Sequence, residues 1–464
     1  MPSIAEALEK FNHLTEALRE ELARFLCPFA AVLPDARHRQ ALQRLAPALL
    51  ASRKPHLSAA GARGAAVSIS AWALSKRFST LLHTPRFSHH AWLNVLYAQA
   101  VDQVAALPAG RRLIVAVDPL NLEKAYARKI EGICQVHKST PPGSPPKRPR
   151  RRKEEGRITW GYPSIFAVGL NTARPALLHQ RLFSYVSDDF VSQPWEWIQT
   201  MRYLRQRLPG RRLCLVADAE ADDQKLWQEA QANDLELLAR ATKVRNVEIW
   251  DSRRRRWRAQ ELQNWARSRQ GRAHFVKAFT HAGRTVPVRV HLNWARLRLP
   301  ADSFEAWAVT AQTEVIGRER PPDQWLPPPH LVVVVIGRPV RGAQEAWRVY
   351  QDWAQRGQIE LLYRFLQEDG LDIEKILLHK LERFRRLLLI IVMLAFFIFH
   401  LEHWWSPVLI QWLRSLESSI AGKGMDRRGH YLLLRGVQRA LDARALLEWI
   451  KIRPPPIGYL PHGL

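Results

Sequence analysis

Two apolar runs constrain this chain most. Leu113-Ile114-Val115-Ala116-Val117 and Leu213-Cys214-Leu215-Val216-Ala217 are short and continuous, and each leads into an aspartate, Asp118 and Asp218. Runs of this length that are apolar at every position are strands buried on both faces, as at the centre of a sheet covered by helices. An acid held where such a strand emerges from its sheet is positioned rigidly by the backbone, which suits a metal ligand. Further runs predict strands over 164–170, 176–184, 235–241 and 331–336. Helices are predicted over 194–208 and through Leu226, Trp227 and Ala230. Alternation of this kind argues for an α/β fold with mixed strand pairing.

The flanks have a different texture. Residues 1–108 read as helical, with segments at 37–51, 71–82 and 88–104 and cations at Arg37, Arg39, Arg44, Lys54, Lys76 and Arg77. Such a module fits DNA contact and fits a solvated surface equally well. Between 243 and 330, segments at 273–280, 286–299 and 307–315 look like antiparallel strands. Val286, Val288, Val290 and Leu292 show the alternation, which points to an inserted β-rich domain. The chain from Trp404 onward is again helical. The longest apolar run, 387–399, has thirteen residues, short of the roughly 20 a membrane span needs. A buried core helix is expected there.

Charge points to a partner. The 464 residues carry 70 Lys+Arg against 43 Asp+Glu, a formal net charge of +27. An excess of that size implies a polyanion, most commonly nucleic acid. In Lys147-Arg148-Pro149-Arg150-Arg151-Arg152-Lys153, six of seven positions are cationic. No core can form there, and a flexible loop that grips phosphates stands beside a purely solvated one. Cys27, Cys134 and Cys214 show neither metal spacing nor a disulfide framework. The first residues include acids and no apolar signal segment.

A third acid lies on a predicted helix running from Trp353 to Gln367. Ile359, Leu362, Phe365 and Leu366 make its apolar stripe. Trp353, Arg356, Glu360 and Gln367 recur at helical spacing on one face. Arg356 and Glu360 read either as a site for metal and phosphate or as an ordinary helical ion pair. Two-metal phosphodiester chemistry needs a few carboxylates converging from rigid elements. Because Mg²⁺ takes one or two carboxylates plus waters and substrate oxygens, Asp118, Asp218 and Glu360 suffice despite their wide spacing.

These features resemble the DDE transposases of bacterial insertion sequences, specifically the "IS four" group, over roughly residues 110–400. Asp118 follows an apolar strand and precedes Pro119 and a polar, helix-prone stretch to Lys124. Asp218-Ala219-Glu220-Ala221-Asp222 matches the group's Asp-Arg-Glu-Ala-Asp at four of five positions. Trp353, Arg356, Glu360 and Gln367 keep the spacing of the group's Tyr, Arg, Glu and Lys, with Trp and Gln as departures. Glu220 and Asp222 fit either the site or a favourable charge at a helix start.

The resemblance implies an RNase H-like mixed sheet interrupted by a β-rich insertion and flanked by helical regions. Its divisions would be a helical DNA-binding region 1–108, a catalytic domain in two parts at 109–242 and 331–405, the insertion at 243–330, and a helical region 406–464 for dimerisation or DNA contact. It implies a Mg²⁺-dependent enzyme, with Mn²⁺ able to substitute, that cuts DNA at element ends and transfers the 3′ hydroxyl to target DNA. A decayed copy acting only as a DNA-binding protein is the alternative. Asp118, Asp218 and Glu360 would hold metal. Arg356, Trp353, Gln367, Lys147, Arg148, Arg150, Arg151, Arg152 and Lys153 would contact DNA. A homodimer on double-stranded DNA, cytoplasmic and nucleoid-associated with no membrane partner, is expected.

Overall fold

The computed structural model describes residues 4–452 apart from 53, 66–68, 125–126, 139–157, 253, 269–270, 282–283, 302, 318–329, 368–369 and 419–428. The chain divides into two compact units. One joins Met1–Ala98, Lys124–Ile133 and Leu362–Leu464, and the other joins Gln99–Glu123 and Cys134–Leu361.

The second unit carries the sheet. Its strands are β1 (Leu113–Glu123), β2 (Cys134–His137), β3 (Ile158–Gly169), β4 (Ala176–Leu182), β5 (Leu213–Ala217), β6 (Glu236–Arg240), β7 (Asn246–Asp251), β8 (Arg256–Glu261), β9 (Ala273–His281), β10 (Arg284–Arg298), β11 (Glu305–Val315) and β12 (His330–Ile336). They form one twelve-stranded sheet in the order β2-β3-β1-β5-β6-β12-β11-β10-β7-β8, with β4 along β3 and β9 along β10. β1, β5 and β6 are parallel. β3 runs antiparallel to β1, β4 to β3, and β12 to β6.

The apolar runs are explained by burial on both sides. Leu113, Val115 and Val117 of β1 join Leu213, Leu215 and Ala217 of β5 in one core. Trp197, Trp227 and Trp265 cover it from the helices Gln193–Arg207, Gln224–Ala232 and Leu262–Arg267. Side chains alternate along a strand, so Ala116 and Asp118 face the other way. There the helix Ala343–Ala354 packs against β5, β10, β11 and β12. Phe275 on β9 stacks on Trp347 of that helix at 4.7 Å between ring centroids.

Three features differ from the sequence-based expectation. First, β1 does not stop at Asp118. It continues as a strand to Glu123, because pairing with β3 persists to Glu123↔Gly161. Pairing with β5 ends at Ala116↔Val216, so Asp118 still stands where one edge of the strand becomes free. Second, the inserted strands extend the main sheet and do not pack as a separate body. β12 pairs β6 on one edge and β11 on the other, which joins the two by continuous hydrogen bonding. Third, the predicted helix from Trp353 to Gln367 is two helices, Ala343–Ala354 and Gly357–Gln367. The link between them is a tight turn, with Arg356 N–H on Trp353 O at 3.0 Å and Ile359 N–H on Arg356 O at 2.9 Å. These three-residue closures are 3₁₀-like, and Gly357 is a weak helix former at the break.

The other unit is helical. Leu381–Trp404 is buried along most of its length and contacts Ala36–Ser52, Ala71–His83 and Gly429–Ile452. Length and composition alone would let this helix cross a membrane, but 89% of its apolar window is buried inside the protein. Helices from both ends of the chain share this unit, where the sequence suggested separate terminal regions.

Candidate active site

The sheet places the two aspartates side by side. Leu113 pairs with Leu213 and Ala116 with Val216, so Asp118 and Asp218 each stand two residues beyond the last shared pair. Asp218 directly follows the carboxyl end of β5, and Asp118 stands within β1 just past its pairing with β5; backbones of paired strands lie roughly 4.8 Å apart. Glu360 joins them from the first turn of Gly357–Gln367. The turn between the helices supplies Arg356, whose guanidinium reaches all three acids. Nη1 lies 3.6 Å from Asp118 Oδ1, Nη2 lies 3.4 Å from Asp218 Oδ2, and Nη2 also bonds Glu360 Oε1.

Arg356 is 11% exposed and Asp118 12% at the side chain. Burial pushes the Asp118 carboxyl well above its ordinary pKa. Arg356 opposes that shift, while Glu220, Asp218 and Glu360 reinforce it. Burial works against the Arg356 charge, but Asp118, Asp218 and Glu360 outweigh it and raise its pKa. The site is thus a knot of like charges gathered around the Arg356 guanidinium.

Neighbouring residues hold the knot in place. Asp222 is completely buried. It accepts Thr242 N–H and Lys243 N–H, each at 2.8 Å, and Arg245 Nη2 at 2.9 Å. That carboxylate fixes the turn following Asp218, so the last acid of the motif is structural. Arg245 lies 4.3 Å over the ring of Trp227, and the Trp227 indole donates to Ala221 O at 3.0 Å. Glu220 is exposed and adds negative charge near Asp118. Arg240, at the end of β6, pairs with Asp218 at 3.3 Å. Sequence reasoning passed over Arg240, although Leu237-Leu238-Ala239 leads into it much as β1 and β5 lead into their aspartates.

The residues expected to grip DNA fall into four groups. Arg356 is in the knot. Trp353 is 5% exposed and donates its indole N–H to Ala217 O at 3.0 Å. An indole has one donor, and this one is spent on the carbonyl just before Asp218, so Trp353 positions the site from behind. Gln367 lies in the helical unit, where its amide donates to Glu374 Oε1 at 2.9 Å. Lys147, Arg148, Arg150, Arg151, Arg152 and Lys153 lie outside the described residues. Replacing Trp353 with Phe is expected to cost about 1 kcal/mol of stability from the lost hydrogen bond and to leave DNA affinity unchanged. Urea denaturation and a filter-binding titration check both, and a tenfold fall in affinity would show that the indole contacts DNA.

Among the described residues, no three His, Cys, Asp or Glu side chains form a cluster that could hold a metal ion. The acids are arranged around the Arg356 guanidinium instead. The donor set still suits a hard divalent ion, because Mg²⁺ requires only one or two carboxylates. Asp118 and Asp218 are such a pair, one within β1 and one directly after β5, each two residues past the last β1–β5 pair.

No family model matches the chain, and no curated protein matches it. Among solved structures, it is similar to the piggyBac transposase in its synaptic complex with hairpin DNA. The sequence identity is 11% and the TM-score 0.38, over 85% of this chain and 69% of that one. A likeness of that extent leaves the fold description to the strand order itself.

Proposed function

We propose that the sheet unit is an RNase H-like catalytic domain and that the protein is a DNA transposase of the DDE kind. The support for the fold is the order β4-β3-β1-β5-β6, with β3 alone reversed against its parallel neighbours β1, β5 and β6 and β4 reversed against β3. The support for the chemistry is one observation: Asp118, Asp218 and Glu360, from three separate elements, all contact a single guanidinium. Asp118 and Asp218 would hold Mg²⁺ or Mn²⁺, with Glu360 completing the set. The ions would supply charge stabilisation and activation of the attacking oxygen in phosphodiester cleavage and joining. With metal on the acids, the Arg356 guanidinium would be available to bind a DNA phosphate in bidentate fashion.

Strand transfer separates this reading from a plain nuclease. Pre-cleaved element ends, incubated with supercoiled target plasmid and Mg²⁺, are expected to give covalently joined products. Nicked plasmid without joined product would reduce the protein to a nuclease. Salt-sensitive binding with neither product would favour the DNA-binding alternative. One feature favours that alternative: Arg356 fills the space among the acids.

A further inference from the structure

A concave site in the sheet unit lies apart from the acid cluster. A cavity of about 750 Å³ is lined by Trp250, Trp294, Trp307, Arg272, Arg296 and Arg341, among others. β12 is antiparallel to β6, and β6 is parallel to β5. The segment 337–341, which follows β12 and walls the cavity, therefore lies at the end of the strands opposite Asp118 and Asp218. Gly337 makes the turn into that wall with φ +78°, and a Cβ there would meet Leu235 O at 2.6 Å.

Cross-strand register builds the floor. Arg296 pairs with Trp307, and Trp307 with Val335. Arg296 precedes the Leu297↔Ile249 pair, which sets it opposite Trp250. One row across β7, β10, β11 and β12 thus alternates aromatic, cation, aromatic and apolar residues on one face. The three tryptophans are half-buried and Arg341 is exposed. Arg296 is paired with Glu305. At Arg341 the backbone N–H bonds Glu345, not the guanidinium.

We propose that this cavity binds one or two unpaired nucleotides of single-stranded DNA, with bases stacked on Trp250 and Trp307 and phosphates on Arg341. The inference rests on the reading of the chain as a DNA enzyme and adds to it a separate holding site. Aromatic faces beside cations bind unpaired nucleotides without needing sequence readout. The volume lies in the range of small-ligand sites, roughly 300–1,000 Å³, and is too small for a duplex. Helix Ala343–Ala354 starts at the cavity wall and ends at the Trp353–Arg356 turn. Twelve helical residues span about 18 Å, so a strand opened near the acids has a docking point within reach.

The test is fluorescence anisotropy of a labelled oligothymidylate with the full chain in EDTA, where metal chemistry is silent. Trp307→Ala and Arg341→Glu are each expected to weaken binding by about tenfold or more. Arg207→Glu, which makes the same charge change on an exposed position of helix Gln193–Arg207, is expected to change binding by less than about twofold. Equal losses for Arg341→Glu and Arg207→Glu would overturn the proposal in favour of diffuse charge. Because Trp307→Ala could perturb folding, photocrosslinking of wild type to 5-iododeoxyuridine oligomers provides a second arm. Crosslinks at Trp250, Trp294 or Trp307 support the site, and crosslinks confined elsewhere refute it. Oligonucleotide binding with these signatures but no metal-dependent cleavage would sink the enzyme reading alone. Cleavage without them would sink the cavity proposal alone.

Discussion

Asp118→Asn is expected to abolish metal-dependent DNA cleavage, by about a thousandfold or more, while making the metal-free protein more stable. The loss follows from removing a carboxylate whose ion would stabilise transition-state charge by several kcal/mol. The gain follows from burial. Asp118 has a folded-state pKa above its unfolded value, so the fold favours the neutral carboxyl. Below the unfolded carboxylate pKa of about 3.9, both states are neutral and the residue costs nothing. As pH rises toward the folded-state pKa, the unfolded chain ionises first and stability is lost. Asparagine escapes that loss, and Arg356 keeps Asp218 and Glu360 as partners. Thermal melting in EDTA is expected to show a gain of roughly 3 °C at neutral pH that shrinks in acid. A lower melting temperature at neutral pH, or a gain that grows in acid, would contradict this account. Opposite effects on stability and activity are what a site that concentrates like charge for function should give.

The second large effect is expected at Asp222, which touches no metal or DNA in this account. Asp222→Ala would leave Thr242 N–H, Lys243 N–H and the Arg245 guanidinium without their shared acceptor. Removing one partner of a buried ion pair costs about 3–5 kcal/mol. Chemical denaturation measures the loss, and a change under about 1 kcal/mol would show that water replaces the carboxylate. Cleavage should fall with it, because the turn from Asp218 to Asp222 loses its anchor. Asp222→Asn keeps one acceptor for the backbone donors and is expected to be intermediate in both measurements.

The elements of the candidate site were legible in the sequence to different depths. The strands of Asp118 and Asp218 could be read because burial on both faces leaves an uninterrupted apolar signature. Their common register could not, since it depends on which parallel strands become neighbours, and no local pattern encodes that. The break at Arg356 was invisible for a related reason. The apolar stripe of Ile359, Leu362 and Phe365 continues a helical period across it, and a tight turn with 3₁₀-like closures preserves nearly the same spacing. Trp353 was read as facing DNA because spacing gives a helix face without saying what that face meets. Here it meets a backbone carbonyl. Asp222 illustrates the converse: an acid in an acid-rich motif looks catalytic, and only the positions of Thr242, Lys243 and Arg245 reveal its structural part. The insertion was visible as alternating strands, but their fusion to the main sheet depends on β12 pairing on both edges.

Cleavage of DNA carrying the sequences that flank the gene, with Mg²⁺ or Mn²⁺, separates wild type from Asp118→Asn, Asp218→Asn and Glu360→Gln if these carboxylates hold the metal. Wild type is expected to leave a 3′ hydroxyl at the element end, and all three variants are expected to bind the same DNA without cutting it. Full cleavage by any one variant, or binding without cleavage by wild type, would contradict the assignment of these three carboxylates as the catalytic set.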